Sequence, residues 1–223
     1  IDGGGKVIMI TYYPYTLANL NALGERYGLS RVPGLLVEGS DSMYASGKPY
    51  YLLPSIESTD ISSMLSASNV YIIAPEAHGI QKVDTDKTVT VDALLSTSDK
   101  AYSKTNLETL KNETIYSVTD EDIEGQFMVA ARSTLSESGG QLIWFGSPYL
   151  GENYYANLQY LIATMNTVCE KEASVTIAAK SLMSDSLTVP DGSSSLWLAI
   201  MCVVVPVAVA ASGLYVWNRR RKR

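Results

Sequence analysis

The chain reads as an α/β protein, a Rossmann-like layered domain with a parallel or mixed sheet, followed by a C-terminal transmembrane helix. Three observations predict this. Apolar strand-length runs alternate with helical patterns through the first 181 residues. The strand runs are continuously apolar, as in sheets covered on both faces. Residues 196–217 carry no charged side chain and are followed by Arg219, Arg220, Arg221, Lys222 and Arg223.

Residues 7–11 form the first strand candidate, after a turn at Gly3-Gly4-Gly5. Leu17, Leu20, Leu23 and Tyr27 then recur at helical spacing, with Gly28 to end the helix. Residues 35–37 and 50–53 are short apolar runs bounded by Gly and Pro. Asp60 is expected to cap a short helix over 61–67. Residues 70–74 read as a buried strand, 88–96 as a half-buried one, and 127–131 and 141–145 as buried ones. Residues 153–170 form the best helix, with Tyr154, Leu158, Leu161, Ile162, Met165 and Cys169 on one stripe expected to face the core. A last short strand is expected over 174–178. Residues 182–195, rich in Ser, read as a tether.

The span 196–217 is long enough, at about 1.5 Å per residue, to cross a ~30 Å hydrocarbon core. Trp197 at one end, with Tyr215 and Trp217 at the other, suits the headgroup zones. Basic residues stay cytoplasmic, so residues 218–223 are expected inside and residues 1–181 outside, at the cell membrane. Before the anchor, twelve Lys and Arg stand against 23 Asp and Glu, a net charge of −11. A nucleic-acid binder needs a basic face, so that class is disfavoured. Pro206 lies mid-span and leaves the Cys202 carbonyl without its helical donor. Small residues Ala208, Ala211, Ser212 and Gly213 follow and offer a packing face to another membrane helix. The chain opens in a turn before a strand, without Met, and reads as a portion of a longer protein.

Cys169 and Cys202 fall on opposite sides of the tether, so no disulfide framework is expected. One His excludes His-cluster zinc sites. The triple glycine precedes its strand, whereas a phosphate loop follows one, so it reads as a turn. Cys169, on an apolar stripe, reads as a small buried hydrophobe. Asp120, Glu121, Asp122 and Glu124 do not meet calcium-loop spacing and read as a solvated acidic loop. Asn112-Glu113-Thr114 fits a glycosylation sequon. Leu187-Thr188-Val189-Pro190-Asp191-Gly192 lacks the Leu-Pro-x-Thr-Gly of a sortase signal, so the anchor is expected to be retained. His78 and Ser147 each follow a predicted strand and could share a strand-end pocket. No Gly-x-Ser-x-Gly elbow accompanies them, and Pro148 removes an N–H from an oxyanion hole there.

Three stretches together resemble the GldG family, auxiliary components of ABC transporters associated with gliding motility. They are Asp2 through Ile10 with the helix to Gly28; Ser138-Gly-Gly-Gln-Leu-Ile-Trp-Phe-Gly-Ser147 with the helix around Asn157 and Asn166; and residues 203–217 with the Arg-rich end. The resemblance implies a non-catalytic extracytoplasmic domain partnered with an ABC-2 permease subunit, membrane lipid and, indirectly, a cytoplasmic ATPase. It implies no cofactor and carries over no catalytic residue. A membrane-tethered hydrolase or amidotransferase-like enzyme using His78 and Ser147, or a passive surface or adhesion module, are the alternatives.

Overall fold

A computed structural model describes residues 1–65, 70–106, 117–152, 154, 156–169 and 200–221, in two units, Ile1–Ile177 and Ala178–Arg223. The expected strand over 174–178, the tether, Trp197, Lys222, Arg223 and the sequon lie outside the described residues.

The first unit is a mixed α/β structure built on a curled seven-stranded sheet. In chain order the sheet contains β1 (Lys6–Ile10), β2 (Leu29–Arg31), β5 (Ser55–Ile56), β7 (Ile80–Lys82), β8 (Val89–Ser96), β11 (Met128–Leu135) and β12 (Gln141–Phe145). Numbers β3 (Leu35–Val37), β9 (Tyr102–Lys104) and β10 (Ile123–Glu124) make a small separate sheet, and β4 (Tyr51–Leu52) pairs with β6 (Ala74–Pro75). The main path runs β1-β12-β11-β7-β2, with β8 beside β11 and β5 beside β8. Of these pairings only β1 with β12 is parallel, Lys6 opposite Gln141 through Ile10 opposite Phe145. The sheet is therefore mixed, and mostly antiparallel.

Both faces of the sheet are covered, which explains the continuous apolar runs. Alternate residues of β12 point to opposite sides: Leu142 and Trp144 into one core, Ile143 and Phe145 into the other. The first core is closed by α1 (Ala18–Arg26), through Leu20 and Leu23, with Tyr27 following. Gly24 lets this helix approach: an added Cβ would sit 2.3 Å from Trp144 Cζ3 and 2.8 Å from the Leu29 carbonyl oxygen. The second core is closed by α2 (Asp60–Ser63), through Ile61, and by α3 (Asn157–Val168), through Tyr160 and Ala163. Burying each such large side chain contributes about 1.5–3 kcal/mol. Arg132 on β11 faces Asp92 on β8 at 2.9 Å and reaches Asp60 of α2 at 2.8 Å, so one guanidinium ties two strands to a helix.

Four expectations are corrected. Residues 70–73 are not a strand, although Ile72 and Ile73 are buried. The Ile73 N–H and carbonyl are bonded to the Asn157 side chain (3.0 and 2.8 Å), which takes the place of a neighbouring strand. The cap of α2 is Thr59, in a reciprocal capping box with Ser62, and Asp60 is the first helical residue. Helix α3 presents its apolar stripe outward. Tyr154, which precedes it, and Leu158, Ile162 and Met165 are 49, 37, 39 and 45% exposed, and Cys169 is exposed rather than buried. Of that stripe only Leu161 packs on the core. Asn157 and Tyr160 decide the rotation, because their polar atoms are satisfied only inside: the Tyr160 hydroxyl donates to the Leu94 carbonyl. Finally, the acidic loop is not wholly solvated. The Asp122 side chain is fully buried against the Lys104 ammonium at 2.9 Å.

In the second unit, one helix of 21 residues, Met201–Arg221, is long and apolar enough to cross a membrane, with mean hydropathy 1.7. It begins as a widened π turn at Ile200–Val204 and continues as α4 (Val205–Arg221). Pro206 stands two residues after the π turn, inside this continuous helical run, and supplies no N–H to it. Tyr215, Trp217, Arg219, Arg220 and Arg221 all lie on α4. Positions 208, 211 and 212 share a face at i, i+3 and i+4 spacing, whereas Gly213 falls on the neighbouring face. The Ser212 hydroxyl donates to the Val209 carbonyl at 2.8 Å within the helix.

Candidate functional site

The parallel pair ends in two loops that lie side by side. After β1 the chain runs Thr11-Tyr12-Tyr13-Pro14-Tyr15, and after β12 it runs Gly146-Ser147-Pro148-Tyr149. In α/β sheets the crevice outside the carboxyl ends of parallel strands is where ligands bind. Residues 75–79 cross this end of the sheet. The His78 N–H donates to the Gly146 carbonyl at 3.0 Å. A Cβ on Gly146 would lie 2.4 Å from the His78 carbonyl oxygen, so the crossing needs glycine there.

His78 and Ser147 are brought to the same strand ends, but each side chain is bonded elsewhere. The Ser147 hydroxyl donates to the Pro75 carbonyl at 2.6 Å. His78 Nδ1 lies 2.9 Å from the Gly79 carbonyl oxygen, which can only accept, so Nδ1 carries the proton. His78 Nε2 then accepts from Thr11 Oγ1 at 2.6 Å, and Thr11 Oγ1 accepts from Trp144 Nε1 at 2.7 Å. This relay is buried throughout and consumes both imidazole nitrogens.

Burial pushes the His78 pKa down to about 4, and the Arg31 charge adds to this. The unfolded chain, with its pKa near 6.5, then binds the proton first as acid is added. Stability from the neutral imidazole is present above about pH 6.5 and is lost as pH falls toward 4. The expected loss is up to about 3 kcal/mol across that window. Urea unfolding of the wild type and of His78→Gln at about pH 7 and about pH 4.5 checks this. The variant should lack that part of the slope, and parallel slopes in the two proteins would refute it.

Glu76, within the crossing segment, sits at φ +50°, a backbone conformation uncommon outside glycine. Its carboxylate accepts a hydrogen bond from the Tyr12 hydroxyl. That bond, burial and the Glu76 charge all raise the Tyr12 pKa. Burial and the same charge raise that of Tyr13, and the charge is the leading cause at Tyr149. Tyr12 stacks edge-on with Tyr13 and Tyr15, at 5.3 and 5.8 Å between ring centres. On the outer side of this aromatic loop Arg31, at the end of β2, donates to the carbonyls of Tyr13 and Tyr15. Beside it is a cleft of about 220 Å³ lined by Tyr13, Thr16, Asn21, Arg31, Gly34 and Thr105. A second cleft, of about 400 Å³, lies between Met43, Leu53, Ile56, Ser62, Leu65 and Tyr71, and among the described residues its lining has no charged side chain.

Ser147 follows β12 and His78 lies on the segment that crosses beside it, both fully buried, and the more exposed groups there were not singled out from the sequence. Tyr12, Tyr13, Tyr15 and Glu76 carried a usable signal, being the first residues after apolar runs. Arg31 carried none, because its position beside Tyr13 is set by β2 lying four strands away along the sheet path. Among the described residues, no group of three or more His, Cys, Asp or Glu side chains could hold a metal.

No family model matches the chain, and no curated protein matches it. Among solved structures, it is similar to the N-terminal domain of mmIFT52, with a TM-score of 0.50 and 16% identity. The match covers 75% of this chain and 66% of that one, just under two thirds of its length. At this identity the likeness concerns the fold alone.

Proposed function

We propose that this chain is the C-terminal portion of a GldG-family component: a non-catalytic, membrane-anchored auxiliary subunit of an ABC-2-type transport system. On this reading the α/β unit is a divergent Rossmann-like layer outside the membrane, and it acts by protein interaction or ligand binding. The observation that carries the proposal is the C-terminal apolar helix ending in Arg219, Arg220 and Arg221, attached to a chain whose preceding part is strongly acidic. The parallel pair β1–β12, with α1 in one core and α3 in the other, supports the layered reading. The hydrolase alternative is weakened because the Ser147 hydroxyl and both His78 nitrogens are committed to internal bonds. The predicted partners are an ABC-2 permease subunit in the bilayer and, through it, a cytoplasmic ATPase.

The test is co-purification of the tagged full chain with the permease and ATPase encoded beside it, from detergent-solubilised membranes. Both should be recovered with it. Replacing Ala211 with Leu should weaken the complex without blocking insertion, since that residue lies on the small-residue face of α4. Recovery of the chain alone from membranes that contain both subunits would overturn the proposal. Protease added to spheroplasts should digest the α/β unit and spare a C-terminal tag; loss of the tag would reverse the topology.

A further inference from the structure

We propose that the cleft between the β1–α1 loop and β2 is a binding site for an oxyanion, a carboxylate or a phosphate ester, with Arg31 as its charged contact. Among the described residues the lining contains one cation and no carboxylate, although the chain before the anchor carries a net charge of −11. The guanidinium is half-buried and makes no ion pair among the described residues. Four other basic groups of the unit are ion-paired: Arg26 and Lys87 on Asp2, Lys104 on Asp122, and Arg132 on Asp60 and Asp92. A half-buried cation without a counter-charge is costly, and burial alone lowers the Arg31 pKa. An anion in the cleft removes that cost.

The geometry also orients the group. The Tyr13 and Tyr15 carbonyls each take one guanidinium N–H and hold the plane in place, and the remaining N–H groups are left to donate to a ligand. Thr16 and Asn21 add a hydroxyl and an amide to the lining on one wall, and Thr105 lines another. A fixed planar fork with neutral polar neighbours suits the paired oxygens of carboxylate or phosphate. A volume of about 220 Å³ admits such a head group and little more. The rings of Tyr13 and Tyr15 border the same loop and offer an apolar surface to the rest of a larger ligand. The site does not depend on the transporter assignment and can be tested without any partner subunit.

The experiment is titration of the full chain in nanodiscs of zwitterionic lipid, labelled with ¹⁵N-arginine, with sodium phosphate and separately with sodium acetate at constant ionic strength. The Arg31 Nε–Hε signal, assigned from Arg31→Lys, should shift and saturate while those of Arg26 and Arg132 stay. Saturation by phosphate alone assigns a phosphate ligand, by acetate alone a carboxylate, and by both an oxyanion of either kind. No saturable shift with either, or equal shifts at Arg26 and Arg132, overturns the proposal. Asn21→Leu keeps the Arg31 clamp on the loop and fills the cleft, so it should weaken the midpoint at least tenfold. An unchanged midpoint in that variant also overturns it.

Discussion

Replacing Asp122 with Ala is expected to destabilise the α/β unit by about 3–5 kcal/mol. The carboxylate accepts from Lys104 Nζ at 2.9 Å, from the Thr119 N–H at 2.9 Å and from the Thr119 hydroxyl at 3.0 Å. Lys104 also donates to the Ser117 carbonyl at 3.0 Å. The two side chains are 1 and 0% exposed, so neither charge has water to fall back on. Removing one partner leaves a buried ammonium without compensation, which costs far more than the pair itself contributes. Lys104→Met with Asp122→Leu, which removes both charges at similar volume, should therefore be milder than Asp122→Ala alone. Urea denaturation of the three proteins decides this. A loss under about 1 kcal/mol in Asp122→Ala would mean the pair is solvated.

The same pair shapes the acid limb. Burial opposes ionisation of Asp122, but the Lys104 ammonium and the two Thr119 donors outweigh it and hold the carboxyl below the usual carboxylate range. A depressed native value means stability is present above the unfolded pKa of about 3.9 and is lost as pH falls through the native one. This window lies below that of His78. In Asp122→Ala the limb below about pH 4 should be shallower, while the slope between about pH 6.5 and 4 remains.

Replacing Asn157 with Ala is expected to cost about 3 kcal/mol or more. Its Nδ2 donates to the carbonyls of Ile73 and Tyr149, at 2.8 and 2.9 Å, and its Oδ1 accepts from the Ile73 N–H at 3.0 Å. Three backbone groups would lose their partner in the interior, each at roughly 1–3 kcal/mol before any relaxation. The effect should be local as well as global. Hydrogen exchange at the Ile73 amide should lose its protection, while amides of β11, paired on both sides, keep theirs until global unfolding. Retained protection at Ile73 in the variant would show that another group had taken over the bond.

How far the sequence can be read follows from what each element depends on. Strands β1, β8, β11 and β12 were legible because long apolar or alternating runs have few other uses. Helix α1 was legible from its spacing and from Gly28, whose φ of +78° suits a helix end. Residues 70–73 misled because burial and strand pairing look alike in a sequence. Only the fold shows that a side-chain amide, from a residue 84 positions away, serves that backbone. Helix α3 misled for a related reason: hydrophobicity favoured one rotation, and two buried polar residues enforced another. At the strand ends, His78 and Ser147 were found, but their bonding was not, since each partner comes from a remote segment.

Local chemistry is therefore what the sequence by itself determined: an acidic chain before an apolar C-terminal helix with a basic end, a mixture of helices and strands, and a turn at Gly3-Gly4-Gly5. These properties depend on composition and on neighbours within a few residues. The tertiary structure decided the rest: one parallel pair in a mostly antiparallel sheet, the outward stripe of α3, the internal bonding of His78, and the placing of Arg31 beside Tyr13 and Tyr15. Each of these depends on which distant backbone groups still lack a partner once the sheet has formed. That demand has no signature in any short stretch of the chain.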